Sequence, residues 1–121
     1  MGKLVEGIED GKILVSDGAW GTFLHQMGLG AEECPESWNL DRPDDVLAVA
    51  TSYVEAGSDV ILTNSFGASP FKLALYGLEE KCYEINRAAG AISRKAAGDT
   101  VIVLGSVGPT GKMVIDRKSV V

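Results

Sequence analysis

The chain has 121 residues, room for one domain and not a large one. Hydrophobic residues make 45% and charged residues 23%, a globular balance that argues against disorder throughout. The formal net charge of −6 disfavours nucleic acid, whose phosphates an acidic surface repels, and no apolar run approaches the roughly 18–20 residues of a membrane span. The N-terminus MGKLVEGIEDGK carries charge too early for a secretory signal. Two cysteines, Cys34 and Cys82, are too few for a disulfide framework and suit a reducing compartment, so a cytoplasmic location is expected.

Three aliphatic runs read as strands buried on both faces: Ile13-Leu14-Val15, Val60-Ile61-Leu62 and Val101-Ile102-Val103-Leu104. Their first residues lie 47 and 41 positions apart, enough for a helical crossover each time. After the first run, Trp20, Phe23, Leu24 and Met27 form a one-sided helical stripe. A polar loop follows through Gly28, Gly30, Glu32 and Glu33. The next helix is expected to open near Pro43, with Asp44 and Asp45 in its first turn. Val46, Val49, Ala50, Tyr53 and Val54 give it a buried face, and Gly57 stops it. A further helix is expected from about Glu79 to Ala97, with Cys82, Ile85, Ala89, Ile92 and Ala96 inward and Gly98 at its end.

The order is β-α-β-α-β, an α/β fold with right-handed crossovers. Three parallel strands leave two bare sheet edges, and a closed (β/α)8 barrel needs roughly 250 residues. The chain is therefore either a small open α/β domain or the opening part of a barrel. The tail VIDRKSVV favours the second, being too short for the next helix.

In parallel sheets ligands bind beyond the carboxyl ends of the strands. Those ends are DGAWGT (residues 17 to 22), TNSFGAS (63 to 69) and GSVGPTGK (105 to 112). All three combine glycine with small polar residues, which lets backbone N–H groups approach a ligand. Asp17 either caps the following helix or takes a ligand ammonium group. The N–H groups of Gly18, Ala19 and Trp20 could receive a carboxylate beside it. Asn64 and Ser65 either donate to a substrate or tie down their own loop, and Thr63 reads as structural.

Several other chemistries fail on spacing. GSVGPTGK has five residues between Gly105 and the Gly111-Lys112 pair, where a phosphate loop needs four. Gly28-x-Gly30 lacks the third glycine of a dinucleotide fingerprint. His25, Cys34 and Cys82 show no metal-ligand spacing, and the single histidine has no evident nucleophile to activate. No catalytic or metal-ligating residue is assigned.

DGAWGTFL, CPESWNLDRPDDV, AGSDVILTNSFGAS and VLGSVGPTGK occur in this order between about Lys12 and Met113. Together they closely resemble the start of the homocysteine S-methyltransferase family, and most of all its cobalamin-linked branch, the methionine synthase type. The resemblance implies a (β/α)8 TIM barrel, incomplete here, of which residues 1–121 are a single partial domain holding the first three β/α steps. It implies transfer of a methyl group to the homocysteine sulfur, giving methionine, in an enzyme that uses zinc held by three later cysteines and, in this branch, cobalamin. It further implies that Asp17 meets the ammonium group of homocysteine and that Gly18, Ala19 and Trp20 meet the carboxylate. Asn64 and Ser65, then Ser106, Gly108 and Thr110, would line the rest of the rim.

The zinc-bearing cysteine segments have no counterpart here, so this chain alone is expected to hold no cofactor and to transfer no methyl group. Its partners are expected to be homocysteine and, through the bare edges, a second copy or the remainder of a barrel.

Overall fold

The computed structural model describes residues 2–113, so the expectation for the tail after Met113 lies outside the described residues. At its centre β1 (Val60–Leu62) pairs in parallel with β2 (Ile102–Leu104), Val60 opposite Ile102 and Leu62 opposite Leu104. Both strands come from aliphatic runs bounded by polar residues, as expected, but Ile102, Val103 and Leu104 of β2 are only half-buried rather than covered on both faces. Ile61 is fully buried among Ala50, Ala97 and Val101, which the flanking helices and the start of β2 supply.

The first run departs from expectation. It lies beside β1, and both Asp59 N–H and Val60 N–H donate to Val15 O, but among the described residues its only strand-like pairing is one bridge between Ser16 and Val60. Ile13 is 91% exposed and Val15 57%, so this is not a strand buried on both faces. Side chains alternate across an extended segment. Leu14 therefore turns to the helix α1 (Lys3–Glu9), close against Gly7, while Ile13 and Val15 turn to a face that no described element covers.

The helices follow the pattern more closely. The stripe after the first run becomes α2 (Gly21–Gln26), whose Leu24 is fully buried while Trp20 and Met27 pack alongside. The polar stretch through Gly28, Gly30, Glu32 and Glu33 is a loop, as expected, and is followed by a 3₁₀ turn (Pro35–Ser37) and α3 (Trp38–Asp41), for which no element was expected. Trp38 is 1% exposed at the heart of a core cluster. Its indole N–H donates to Glu33 (2.7 Å), and the Arg42 guanidinium lies over its ring at 3.9 Å, so the polar neighbours satisfy and cover a core side chain.

Helix α4 (Pro43–Glu55) opens at Pro43 and buries Val46, Val49 and Ala50. Gly57 follows it at φ +99°, a conformation that side chains with a Cβ resist. A short α5 (Pro70–Ala74), unforeseen in the pattern, is capped by the Ser69 hydroxyl, which accepts from Lys72 N–H (3.1 Å). A 3₁₀ turn (Glu79–Lys81) leads into α6 (Cys82–Ala97). Its deepest face is Ile85, Ala89, Ser93 and Ala97, with Ile92 and Ala96 half-buried. Ser93 is buried because its hydroxyl donates to Leu62 O at the end of β1 (2.8 Å). No helix among the described residues is long and apolar enough to cross a membrane.

Candidate functional site

The carboxyl ends of the first run, β1 and β2 lie side by side and bring the three glycine-bearing loops to one rim. In the first loop, Asp17 is anchored to the neighbouring strand. Its Oδ2 accepts from Leu62 N–H (2.9 Å) and from the Trp20 indole N–H (2.7 Å), and its Oδ1 accepts from the Ser16 hydroxyl (3.1 Å). A carboxylate has about four acceptor positions, so one remains on Oδ1. Asp17 does not cap α2: Trp20 occupies that position and no side chain closes the helix end.

Tyr53 reaches up from α4 and its hydroxyl donates to Ala19 O. Gly18 lies against the same hydroxyl, and a Cβ there would sit 3.1 Å from it. Burial, and then the negative charge of Asp17, push the Tyr53 phenol above its usual range. The N–H groups of Ala19 and Trp20 find no acceptor among the described residues.

The second and third loops are tied to each other. Ser106 N–H donates to Thr63 Oγ1 (3.0 Å), and Ser65 Oγ donates to Ser106 O (2.8 Å). Because the Ser65 proton is committed to that carbonyl, the 2.6 Å contact between the two hydroxyls is donated by Thr63. The result is a closed ring of three hydrogen bonds joining the ends of β1 and β2. Gly108 N–H adds a bond to Phe66 O (3.1 Å), and a Cβ on Gly108 would come within 2.3 Å of that oxygen. A cavity of about 90 Å³ lies between these loops, lined in part by Ser65, Ser106 and Gly108. A larger hollow of about 300 Å³ lies at the opposite end, under α1, among Lys3, Glu6, Lys12 and Asp59.

Asn64 turns inward. Its amide donates to Pro35 O (3.0 Å) and to Asn39 Oδ1 (2.9 Å), while Asn39 returns a bond to Asn64 O (2.8 Å). Both amide hydrogens are thus used in joining the second loop to the Pro35–Asp41 segment. Thr110 accepts from Lys112 N–H (3.1 Å) within its own loop. The structure therefore brings Asp17, Gly18, Ala19 and Trp20 together as one group and Ser65, Ser106 and Gly108 as another, with Asn64 beneath them.

Sequence reasoning missed Glu36, a carboxylate only 7% exposed. It accepts from Gly67 N–H (2.7 Å) and from the Cys34 thiol (3.4 Å). A Cβ at Gly67 would lie 2.9 Å from Glu36 Oε1, so the glycine permits the approach. Burial above all, with the charge of Glu36, pushes the Cys34 thiol up to about 11. The available signal was an acid set directly after Pro35 and two positions ahead of Trp38.

The soft donors are dispersed. His25 Nδ1 pairs with Leu29 O (2.9 Å), Cys34 with Glu36, and Cys82 with Ala68 O (3.2 Å). No group of three or more histidine, cysteine, aspartate or glutamate side chains among the described residues could hold a metal ion. The described residues do not fit the zinc site that the resemblance implies.

The sequence pattern of the homocysteine S-methyltransferase family matches residues 14–120. The chain belongs to this family. The match continues beyond Met113, where the resemblance was expected to end. Methionine synthases from Mycobacterium leprae (strain TN) and Mycobacterium tuberculosis (strain ATCC 25618 / H37Rv) are each 33% identical over 114 residues, covering 84% of this chain and 10% of theirs. The metallated form of the homocysteine methyltransferase MmuM from Escherichia coli superposes with a TM-score of 0.75 at 26% identity, covering 88% of this chain and 42% of that one. Its oxidized form gives 0.77 at 28%, covering 91% and 42%. This homocysteine S-methyltransferase family member thus spans about a tenth of the length of those methionine synthases and under half of the MmuM chain.

Proposed function

We propose that this chain provides the first three β/α steps of a (β/α)8 homocysteine-binding barrel, in an enzyme that transfers a methyl group to homocysteine to give methionine. Its contribution is part of the amino-acid pocket. The observation that carries this reading is the first rim loop. Asp17 is fixed by three donors yet keeps one acceptor position on Oδ1, and the N–H groups of Ala19 and Trp20 stand unpaired among the described residues. An acceptor for an ammonium group beside donors for a carboxylate suits an α-amino acid. Ser65 and Ser106 belong to the neighbouring wall, and Asn64 supports it from below.

Zinc and cobalamin belong, in this reading, to the complete enzyme. The chain alone binds homocysteine without methylating it, since its described residues offer no ligand set for the metal. Its free cysteines fit a reducing, cytoplasmic setting. Titration of the purified chain with L-homocysteine, alongside a methyl-transfer assay with added zinc, tests both halves. Binding without transfer supports the reading; transfer by the chain alone contradicts the second half.

A second reading, a barrel fragment that self-associates or complements its remainder without chemistry of its own, draws on the bare face at Ile13 and Val15. A concentration-independent monomer in sedimentation would exclude self-association.

A further inference from the structure

We infer that Tyr53, outside the rim loops, is a positioning residue for the amino-acid pocket: its hydroxyl turns the Ala19–Trp20 peptide so that the Trp20 N–H faces the ligand. The inference rests on the pocket reading above. A trans peptide is planar, with its C=O and N–H pointing in opposite directions. The chain has no cis peptide bond among its described residues, and the Ala19 carbonyl is held by the Tyr53 hydroxyl. The Trp20 N–H therefore points away from α4, toward the side where it meets no acceptor among the described residues.

The loop is clamped at both ends. Asp17 is bound to β1 through Leu62 N–H, and Ala19 is bound to α4 through Tyr53. Gly18 between them leaves room for the hydroxyl, which a Cβ would crowd at 3.1 Å. The Tyr53 ring is itself steadied by Phe23, edge-on at 5.6 Å with the rings at 87°. A phenol is protonated at neutral pH, and burial and then the Asp17 charge push Tyr53 further in that direction, so its hydroxyl is a donor to Ala19.

Tyr53→Phe removes the hydroxyl and keeps the ring. L-homocysteine and 3-amino-1-propanethiol, which is homocysteine without its carboxylate, are titrated into the wild-type and variant chains. The expected result is an affinity for homocysteine about tenfold weaker, the worth of roughly one hydrogen bond, with the affinity for the amine thiol unchanged. A merely structural role would weaken both ligands alike. That outcome, or no effect on either, overturns the proposal.

Gly18→Ala, which crowds the same hydroxyl, is expected to give a smaller loss of the same selectivity and serves if Tyr53→Phe does not fold. Tyr83→Phe, at an exposed position on α6, is the control. If the wild-type chain binds neither ligand, the pocket reading fails. The positioning role falls with it, whereas homocysteine binding that Tyr53→Phe leaves unchanged overturns the positioning role alone.

Discussion

The loop after the first run and the loop after β1 leave neighbouring positions on the same rim and treat their polar groups in opposite ways. In residues 63–68, hydroxyl, amide and backbone groups bond to each other, to the third loop and to the Pro35–Asp41 segment. In residues 17–20 the carboxylate is anchored but not exhausted, and two N–H groups stand without an acceptor among the described residues. Polar composition alone does not separate them, since both mix glycine with small polar residues. What separates them is the side chains: the second loop donates its hydroxyl and amide hydrogens within the protein, whereas Asp17 keeps an acceptor position on Oδ1.

The largest effect expected from breaking this contrast is at Gly108. Gly108→Ala places a Cβ 2.3 Å from Phe66 O, a backbone atom that cannot step aside. Stability should fall by about 2–4 kcal/mol, seen as a lower urea midpoint. An unchanged midpoint would mean that the second and third loops are not rigidly joined.

Next is Asp17→Asn, which removes the charge while keeping an oxygen for Leu62 N–H. Homocysteine binding should weaken by about 2 kcal/mol, the difference that a charge-assisted bond makes, in calorimetric titration. Binding at wild-type strength would remove Asp17 from the pocket.

Thr63→Val sharpens the comparison from the other side. It deletes the acceptor of Ser106 N–H and the donor to Ser65, at a cost of roughly 1–2 kcal/mol in stability, with the first-loop amide signals unmoved. Movement of those signals would show that the two loops are coupled.

The smallest effect is one of pH. The Cys34 thiol is raised from its ordinary 9.0 to about 11, so the fold favours its protonated form. Its contribution to stability is fully present below pH 9.0 and is lost as pH rises toward about 11, where the unfolded chain releases the proton first. Urea midpoints measured across that window should decline more steeply than those of a Cys34→Ala chain.

The sequence was most legible where local signals agreed with tertiary packing. Pro43, the apolar spacing through Val54 and then Gly57 predicted α4 almost to the residue, because capping, periodicity and burial all point one way. The run Ile13-Leu14-Val15 misled because an apolar strand reads as buried whether or not a second layer covers it, and here the described residues supply a cover only for Leu14. Trp38, lying between the polar loop of residues 28–33 and Pro43, had no periodic stripe to mark it as core, and its burial is completed by the partners Glu33 and Arg42. In the site, the grouping of Asp17 to Trp20 was legible from spacing. The inward turn of Asn64 and the reach of Tyr53 were not, since both depend on partners 25 to 34 positions away.

The central claim is that residues 17–20 hold the amino-acid end of homocysteine in this chain as it stands. The measurement that tests it most directly is an amide NMR spectrum of the purified chain titrated with L-homocysteine. The account predicts dispersed signals, with saturable shifts at Asp17 to Gly21 and little movement at Asn64. A well-dispersed spectrum that homocysteine leaves unchanged at those positions would contradict it.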